Sequence, residues 1–307
     1  MTDRNSGKSV AIIGAGAMGC FFAARLASSG AEVTLVDIDA ARLAMLEESG
    51  IALEADEGVV TAKVSARLAA DLKGPFSLVV VFTKGMHTAA AVASVGHVAG
   101  GGTPVLTLQN GIGNAEVIAA HFPRENVLMG VTDYPADLKD ARTVASHGKG
   151  QIRLGSLCRQ AMAHVPGIAD MLNTAGLDTI VDDRVEVAIW EKLAFNAALN
   201  SIATVAGLPN GGFDVAAGHR IIEQVVAETV AVAGAKGIAL DSQRIHAKIA
   251  SALKHHRTHQ PSMLQDRLAG RQTEIDQING AIEREAAALG LRVPVTSTLA
   301  DLVRLVS

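Results

Sequence analysis

A glycine-rich hexapeptide near the start of the chain constrains the fold more than any other feature. Residues 14–19 read GAGAMG, which is the pattern G-x-G-x-x-G. A β-branched run precedes it at residues 8–13, and an amphipathic stretch that suits a helix follows at residues 20–29. A second strand, predicted at residues 32–36, ends at Asp37, about 20 positions after the first glycine. Strand, glycine loop, helix, strand and acidic residue in this order predict a dinucleotide-binding unit, and not merely a structural turn.

Residues 14–19, called the glycine loop below, have separate predicted roles. Gly14 permits the tight turn, Gly16 lets the backbone approach a pyrophosphate, and Gly19 lets the helix lie close to the strand. The N-terminus of the helix attracts the phosphate charge. The cofactor-binding set predicted from this loop is Gly14, Ala15, Gly16, Ala17, Met18 and Gly19.

Asp37 predicts which dinucleotide is preferred. A carboxylate at the end of the second strand accepts hydrogen bonds from the ribose hydroxyls and repels a 2′-phosphate, so it favours NAD over NADP. The alternative is that Asp37 is a solvated turn residue. Arg42, in the helix predicted to follow, could still reach a phosphate, so the preference is not absolute.

Two further apolar runs predict strands that are buried on both faces. They are residues 78–82 (LVVVF) and 105–108 (VLTL), and polar loops containing Lys84 and Asn110 follow them. Ligands lie outside the carboxyl ends of parallel strands. We therefore predict that Lys84 neutralises a phosphate or a substrate carboxylate, and that Asn110 bonds the nicotinamide ribose or the substrate. For each, the alternative is an ordinary polar loop residue. Residues 127–155 predict antiparallel strands that complete the sheet.

The hydrophobic pattern of the sequence changes near residue 182, where helical periodicity replaces strand patterns. We therefore predict two domains, a dinucleotide-binding domain at residues 1–182 and a substrate-binding, catalytic domain at residues 183–307. The fold class predicted is α/β, with an N-terminal Rossmann-like doubly wound sheet and an all-α C-terminal domain.

A helix predicted at residues 190–207 carries polar side chains in an unusual arrangement. Most of this segment is apolar, yet polar residues recur at every fourth position, and this polar ridge consists of Lys192, Asn196, Asn200 and Thr204. Side chains four residues apart lie on one face of a helix. Burying a lysine and two carboxamides is costly without partners. Either other segments supply the partners, or the polar ridge faces a wet cleft, which is the interpretation we favour.

Composition excludes several classes of protein. The 307 residues carry a net charge of −4 with scattered basic residues, so neither a nucleic-acid surface nor a membrane surface is predicted. Mean hydropathy is +0.28, yet the longest apolar run is far too short to span a membrane. The first residues lack the apolar core of a signal peptide, and Cys20 and Cys158 form no disulfide framework. We expect a cytoplasmic protein, whose apolar surface is compatible with a homodimer.

Three histidines in one short stretch resemble a metal site at first glance. His255, His256 and His259 lie close together, but no cysteine or carboxylate stands at ligand spacing. We therefore predict a solvated helix end or loop and no metal. Because the stretch runs into Ser262, one of these histidines could contact the substrate.

Taken together, the segments resemble the ketopantoate reductase family along nearly the whole chain. No single piece is specific, but their order and spacing are. The segments that carry the resemblance are GAGAMG at 14–19, Thr83-Lys84, LQNGIGNAE around Asn110, HGKGQIRLG at 147–155, WEKLAFNAALN from Trp190, PSMLQD from Pro261 and TEIDQINGAI from Thr273.

The resemblance implies a Rossmann domain and a helical domain with the active site between them. It also implies NAD(P)H-dependent reduction of ketopantoate to pantoate, by hydride transfer to a 2-keto acid, in pantothenate biosynthesis. Lys192 resembles the general acid, and Glu274 resembles the carboxylate that orients the substrate hydroxyl. The residues that resemble the substrate-binding set are Asn110, Asn196, Asn200 and Ser262, and Lys84 resembles the lysine near cofactor and substrate.

The sequence departs from the family pattern just after the second strand. Family members that use NADPH usually have an arginine where Ile38 stands, and here Asp37 precedes it. Together Asp37 and Ile38 favour NADH over NADPH. Residues 131–137 (VTDYPAD) also differ from the small-residue pattern expected there. Two alternatives therefore stay open: an NAD-dependent dehydrogenase of another branched 2-hydroxy acid, and a non-catalytic nucleotide-sensing protein.

Overall fold

The computed structural model describes residues 5–307. The first four residues, part of the segment in which no signal peptide is predicted, lie outside the described range. The strands in chain order are β1 (Ser9–Ile13), β2 (Glu32–Val36), β3 (Ile51–Ala55), β4 (Gly58–Ala62), β5 (Ser65–Arg67), β6 (Leu78–Val81), β7 (Val105–Thr107), β8 (Val127–Thr132), β9 (Asp137–Leu138), β10 (Thr143–Ser146), β11 (Ile152–Ser156) and β12 (Thr179–Val181). The helices are α1 (Ala17–Ser28), α2 (Ala40–Ser49), α3 (Thr88–Ser94), α4 (Asn114–Ile118), α5 (Val165–Thr174), α6 (Val185–Ala206), α7 (Ala216–Ala235), α8 (Ser242–His255), α9 (Ser262–Leu268), α10 (Asn279–Ala288) and α11 (Pro294–Val306).

The main sheet has eight strands in the order β12-β11-β8-β7-β6-β1-β2-β5. From β8 to β5 every neighbouring pair is parallel, and β11 runs antiparallel to β8. In the central strand Ile12 pairs with Leu35 on one side and Val80 on the other, and all three are fully buried. Because β1 lies between β2 and β6, the strand order reverses at β1, and such a switch point forms a ligand crevice. The predicted doubly wound parallel sheet is confirmed.

A second sheet has the order β4-β3-β10-β9 and packs on α1. The sequence of residues 50–64 predicts a pair of short strands, which are β3 and β4, but not their pairing with β10. We predicted that residues 127–155 complete the main sheet, which is right for β8 and β11 but wrong for β9 and β10. Strand β10 instead pairs in parallel with β3, with Val144 opposite Leu53, both buried in the core around α1. An alternating pattern predicts a strand without revealing its partner.

The C-terminal part is built around α6, which extends five residues further toward the N-terminus than the helix predicted from residue 190. Gly207 ends this helix in the left-handed conformation (φ +67°), and the N–H groups of Gly207 and Leu208 both donate to the carbonyl of Ala203. Before the helix, Asp182 accepts the N–H of Arg184 at 3.0 Å. Gly207 followed by Pro209 is the sequence signal for a helix end, and the structure confirms the end predicted there.

One local structure differs from its sequence pattern. Residues 261–266 (PSMLQD) are polar and turn-like in sequence, but α9 occupies most of this segment. Met263 and Leu264 are buried in the core of the helical part, and Pro261 precedes the first turn. Burial of two adjacent apolar side chains stabilises a helix that is too short to show periodicity in the sequence.

The chain separates into two compact units. The first consists of residues up to Gln109 together with Asn114–Val185, and the second of Asn110–Gly113 together with Glu186–Ser307. The second unit contains helices and no strand among its residues, as the predicted all-α class requires. Of the helices between residues 5 and 307, none is both long and apolar enough to cross a membrane.

Candidate active site

The glycine loop joins β1 to α1 through close backbone contacts. Gly14 has φ +104°, and a Cβ there would lie 2.7 Å from the amide nitrogen of Thr83. A Cβ on Gly19 would overlap the carbonyl oxygen of Gly14. These two glycines are therefore required by the packing of the protein itself, in the roles predicted for them.

Gly16 differs from its neighbours because it faces open space. It is exposed, and a Cβ built on it would meet no protein atom within 4 Å. It is the N-cap residue of α1, whose first turn contains no acidic side chain. Free N–H groups at a helix N-terminus, next to a residue without a side chain, fit a pyrophosphate.

Asp37 lies beside the glycine loop. One of its carboxylate oxygens accepts the N–H of Ala15 at 2.7 Å, and the other accepts the N–H of Ile38 at 2.7 Å. The oxygen bonded to Ile38 also accepts the N–H of Asp39 at 3.4 Å. Each carboxylate oxygen has about two lone-pair sites, so the oxygen bonded to Ala15 can still accept a ribose hydroxyl. The side chain of Ile38 is 95% exposed, which leaves its apolar surface available beside that carboxylate.

Arg42 is engaged within the protein. Its Nε donates to the carbonyl of Ala141 at 2.8 Å, and its Nη2 contacts Sγ of Cys20 at 3.4 Å. Burial raises the pKa of the Cys20 thiol to about 11, so the sulfur is neutral at physiological pH. Two of the donors on Arg42 are thus used by neighbouring groups, which opposes the alternative that Arg42 serves a cofactor phosphate.

A polar network links the ends of β6 and β7. Nε2 of Gln109 donates to the carbonyl of Thr83 at 2.6 Å and to Oγ1 of Thr88 at 2.8 Å, while Oγ1 of Thr107 donates to Oε1 of Gln109 at 2.9 Å. Lys84 follows Thr83, is half-buried, and precedes the short 3-10 turn Gly85–His87. Gln109 was not predicted as a site residue, although its place directly after a buried strand was a usable signal.

The polar ridge lies on α6 in a mostly buried setting. Lys192 is half-buried, while Asn196 and Asn200 are only 8% and 5% exposed. Thr204 is fully buried, and its Oγ1 donates to the carbonyl of Asn200 at 2.7 Å. The hydroxyl of Thr204 is therefore satisfied inside the helix. The prediction that this residue faces a wet cleft was wrong, and the polar ridge divides into three candidate site residues and one structural residue.

Side chains from three other helices bond to α6. Nε of Arg244 donates to the carboxylate of Glu191 at 2.9 Å, and this carboxylate is 3% exposed. Nδ2 of Asn279 donates to the carbonyl of Ala197 at 3.2 Å, and Arg267 donates to the carbonyl of Thr204. Glu191, next to Lys192, was missed from the sequence because an acidic residue on a helix usually faces solvent.

Glu274 opens a tight turn at residues 274–278, called the Glu274 turn below. Its carbonyl accepts the N–H groups of Gln277 and Ile278, both at 3.1 Å, and its side chain is half-buried. The bond from Asn279 to Ala197 ties this turn to α6 between Asn196 and Asn200. The second unit thus brings the Glu274 turn and the polar ridge together.

The segment Asn110–Gly113 belongs to the same unit and packs on the Glu274 turn. Gly111 has φ +86°, and a Cβ there would overlap the carbonyl oxygen of Gln277. Asn110 is half-buried just before this contact. Ser262, by contrast, is exposed as the first residue of α9, and within residues 5–307 its side chain has no hydrogen bond to the polar ridge.

The histidine stretch follows α8 and is exposed. His255 is the last residue of that helix, and the N–H of His259 donates to the carbonyl of His256 at 3.1 Å. Nearby Arg257 donates to Asp214 at 2.6 Å, and this hydrogen bond lowers the pKa of the Asp214 carboxyl. No group of three or more potential metal ligands occurs in the described part of the chain.

A glycine loop at a sheet switch point, in a chain with a helical unit that presents a lysine beside two asparagines, defines a dinucleotide-dependent oxidoreductase. The chain belongs to the ketopantoate reductase family. The model of ketopantoate reductase PanE/ApbA matches residues 10–158, and the model of its C-terminal part matches residues 184–307. The family resemblance deduced from the sequence is confirmed, as is the prediction of an enzyme.

Similar proteins match along their whole length. The 2-dehydropantoate 2-reductase of Halobacterium salinarum is 32% identical, over 96% of this chain and 98% of the relative. A structure of D-mandelate dehydrogenase with NADH and anilino(oxo)acetate is 31% identical with a TM-score of 0.93, over 97% of this chain and 98% of that chain. The 2-dehydropantoate 2-reductase structure from Geobacter metallireducens is 27% identical with a TM-score of 0.91, over 97% and 100%.

Gly16 and Gly19 provide a matched test of the glycine loop. Gly16→Ala is expected to change the free energy of unfolding by less than about 0.5 kcal/mol, because the new methyl group meets no protein atom. It should weaken NADH binding roughly tenfold, because the methyl group occupies the predicted pyrophosphate position. Gly19→Ala should cost about 1–3 kcal/mol of stability by overpacking. Thermal unfolding and NADH fluorescence titration measure both; unchanged NADH affinity in Gly16→Ala would contradict the assignment.

Gly111 and Gly113 provide a matched test of the contact between residue 111 and the Glu274 turn, because an alanine would be similarly strained at either position. Both have positive φ, +86° and +91°, so each alanine costs about 1–2 kcal/mol in conformational strain. Only at Gly111 does the methyl group collide with Gln277, and it should displace the Glu274 turn. We expect kcat/KM to fall about tenfold or more in Gly111→Ala, and to stay near wild type in Gly113→Ala. Equal losses in the two variants would show that the contact is irrelevant.

Proposed function

We propose that this chain is a 2-dehydropantoate 2-reductase, which reduces the keto group of ketopantoate to the hydroxyl of pantoate with NAD(P)H, in pantothenate biosynthesis. One observation carries the proposal. Lys192 shares a helix face with Asn196 and Asn200, and the Glu274 turn is tied to the same helix, in a chain similar along its length to 2-dehydropantoate 2-reductases. Lysine, carboxamides and carboxylate are the groups that reduction of a 2-keto acid requires.

Lys192 is the proposed general acid. Reduction of a ketone places negative charge on its oxygen, and a positioned ammonium can stabilise that charge and donate the proton. Partial burial of Lys192 strengthens the electrostatic interaction with such an oxygen compared with water. The ion pair of Glu191 with Arg244 anchors the preceding residue of α6, which limits the movement of Lys192.

Asn196, Asn200 and Glu274 are the proposed substrate-orienting groups. The carboxamides lie one and two helical turns beyond Lys192, so they can hold the substrate carboxylate at a fixed distance from the proton donor. Glu274 accepts a hydrogen bond from a substrate hydroxyl. Asn110, which packs on the Glu274 turn through its neighbour Gly111, and the exposed Ser262 complete the proposed substrate-binding set.

The first 182 residues are the proposed cofactor domain, and residues 183–307 are the proposed catalytic domain. The glycine loop holds the pyrophosphate, Asp37 the adenosine ribose, and Lys84 a phosphate or the substrate carboxylate. When bound, the dihydronicotinamide supplies the hydride. Asp37 and Ile38 favour NADH over NADPH, because the carboxylate repels a 2′-phosphate and Arg42 is engaged by Ala141 and Cys20.

A second candidate is an NAD-dependent dehydrogenase of another branched 2-hydroxy acid, using the same residues. The position of Asp37 beside Ala15 favours it, and a D-mandelate dehydrogenase of closely similar fold binds NADH. A nucleotide-sensing role is disfavoured, because a sensor needs the glycine loop but not a lysine beside two buried carboxamides.

The proposal is tested by assaying NADH and NADPH oxidation with ketopantoate and with a set of other 2-keto acids, both branched and aromatic. We expect the highest kcat/KM with ketopantoate. A preference of more than about tenfold for another acid would support the second candidate instead. Cofactor binding without turnover of any acid would support the sensor.

Lys192→Ala should lower kcat by at least about 10²-fold, because the proton donor is lost, while NADH still binds. The control is Lys248→Ala, which removes an exposed lysine from α8 of the same unit and should leave kcat unchanged. Steady-state kinetics and NADH fluorescence titration measure the two effects. Turnover like that of the wild type in Lys192→Ala would end the assignment.

Asp37→Ala should raise the ratio of kcat/KM for NADPH to that for NADH on the order of tenfold, because a repulsive charge is removed. Asp37→Asn separates two causes. It keeps an oxygen that can accept the N–H of Ala15 but carries no charge, so it should resemble Asp37→Ala if repulsion is the selector. An unchanged ratio in both variants means that Asp37 does not select the cofactor.

A further inference from the structure

Arg304, near the end of α11, reaches across to the Glu274 turn. Its Nε and Nη2 both donate to Oδ1 of Asp276, at 3.0 and 2.7 Å. Asp276 lies two residues after Glu274 in the middle of the turn, and its side chain is 52% exposed. The guanidinium therefore grips the turn from the solvent side, while Ile275 and Ile278 anchor it in the core of the helical unit.

Arg304 is the centre of a cluster of charges. It also donates to Glu283 of α10 at 3.0 Å and to Asp301 of its own helix at 2.8 Å. Nη2 of Arg284 donates to the carbonyl of Asp276 at 2.9 Å, so both the backbone and the side chain of that residue are held. The hydrogen bond to Asp276 is the largest of the causes that raise the pKa of Arg304. A network of this kind is more restrictive than an isolated surface ion pair.

Gly280 leaves room for the ion pair between Arg304 and Asp276. A glycine in the first turn of α10 weakens the helix. A Cβ there would lie 3.0 Å from Nη2 of Arg304 and 3.2 Å from Oδ1 of Asp276. Any larger residue would press on the guanidinium where it meets the carboxylate.

The opposite side of the Glu274 turn contacts residues that are adjacent to candidate site residues in the chain. Asn279 bonds to the carbonyl of Ala197 on α6, between Asn196 and Asn200, and the carbonyl of Gln277 packs on Gly111, next to Asn110. A shift of the turn would therefore change the position of Glu274 relative to the polar ridge. Arg304 opposes such a shift from outside by holding the side chain of Asp276, and Arg284 holds its carbonyl.

We propose that Arg304 is a positioning residue for the reaction: by holding Asp276 it fixes the Glu274 turn, and hence the carboxylate that orients the substrate. The inference rests on the proposed function of Glu274. Arg304 is given no role in binding the cofactor and does not touch the substrate. Its removal therefore affects the substrate side of the reaction and leaves the nucleotide side unchanged.

The test compares Arg304→Gln and Asp276→Ala, which remove the same contact from its two sides, whereas Asp276→Asn would keep an oxygen that can still accept from Arg304. With ketopantoate, each should lower kcat/KM about tenfold, since a small misplacement of an orienting group is costly. The dissociation constant of NADH, measured by fluorescence, should stay within twofold of wild type. Arg304→Lys, which keeps one charge but cannot serve three carboxylates, should recover part of the loss.

Lys236→Gln is the control. Lys236, the residue directly after α7, pairs with Glu285 of α10, and the two side chains are about as exposed as Arg304. This pair ties α10 to the end of α7 without touching the Glu274 turn. The control breaks one ion pair where Arg304→Gln breaks three, so it should lower the midpoint of thermal unfolding less, and it should keep wild-type kcat/KM.

A double-mutant cycle with Glu274→Ala decides whether Arg304 acts through Glu274. Glu274→Ala removes the hydrogen-bond acceptor, which Glu274→Gln would keep, and alone it should lower kcat/KM. Adding Arg304→Gln to it should cost less than twofold more. A full further tenfold loss in the double variant overturns the inference, because Arg304 then acts elsewhere. Wild-type kcat/KM in both Arg304→Gln and Asp276→Ala, with Glu274→Ala impaired, overturns the inference alone. Full activity of Glu274→Ala instead overturns the proposed role of Glu274 itself.

Discussion

The helical unit depends on the burial of α6, a long helix that carries polar groups inside an apolar core. Polar atoms removed from water destabilise a fold unless they are hydrogen-bonded. Three other helices supply such bonds along α6: Arg244 near its beginning, Asn279 in its middle and Arg267 near its end. These contacts explain why the surrounding helices pack where they do. They also hold the lysine and the two carboxamides of the polar ridge at fixed positions along one face.

Close packing determines the structure of the glycine loop in the first unit. At two of its glycines the backbone of other residues occupies the space that a side chain would need. A Cβ on Gly14 would meet Thr83, and a Cβ on Gly19 would meet Gly14. Gly16 alone within the loop is open and exposed. The requirement for glycine therefore has two different physical causes within six residues. Close approach of the segment after β6 demands Gly14, and close approach of α1 to the loop demands Gly19. Access for a ligand is the proposed reason for Gly16.

Several features could be predicted because a local pattern has a single physical explanation. The strand, glycine loop and helix around residue 16 were predictable from side-chain size and β-branching, and Gly207 ended α6 as its freedom to adopt positive φ suggested. The second sheet and α9 could not be predicted, because the partner of a short strand and the burial of Met263 depend on distant residues. Thr204 shared the spacing of the polar ridge, yet its hydroxyl bonds within the helix.

By itself the sequence determined the fold class, the glycine loop and the family, and it supplied the residues now proposed as the reducing site. These are encoded by residue type and short-range spacing, which hydrophobic burial and backbone sterics translate directly into local structure. Only the tertiary structure decided which polar residues serve the packing and which remain as site candidates. It paired Glu191 with Arg244 and placed Arg304 on the Glu274 turn. It also showed that a side chain at Gly280 would crowd Arg304. Contacts between residues distant in the chain form only when the core packs, so no local sequence pattern predicts them.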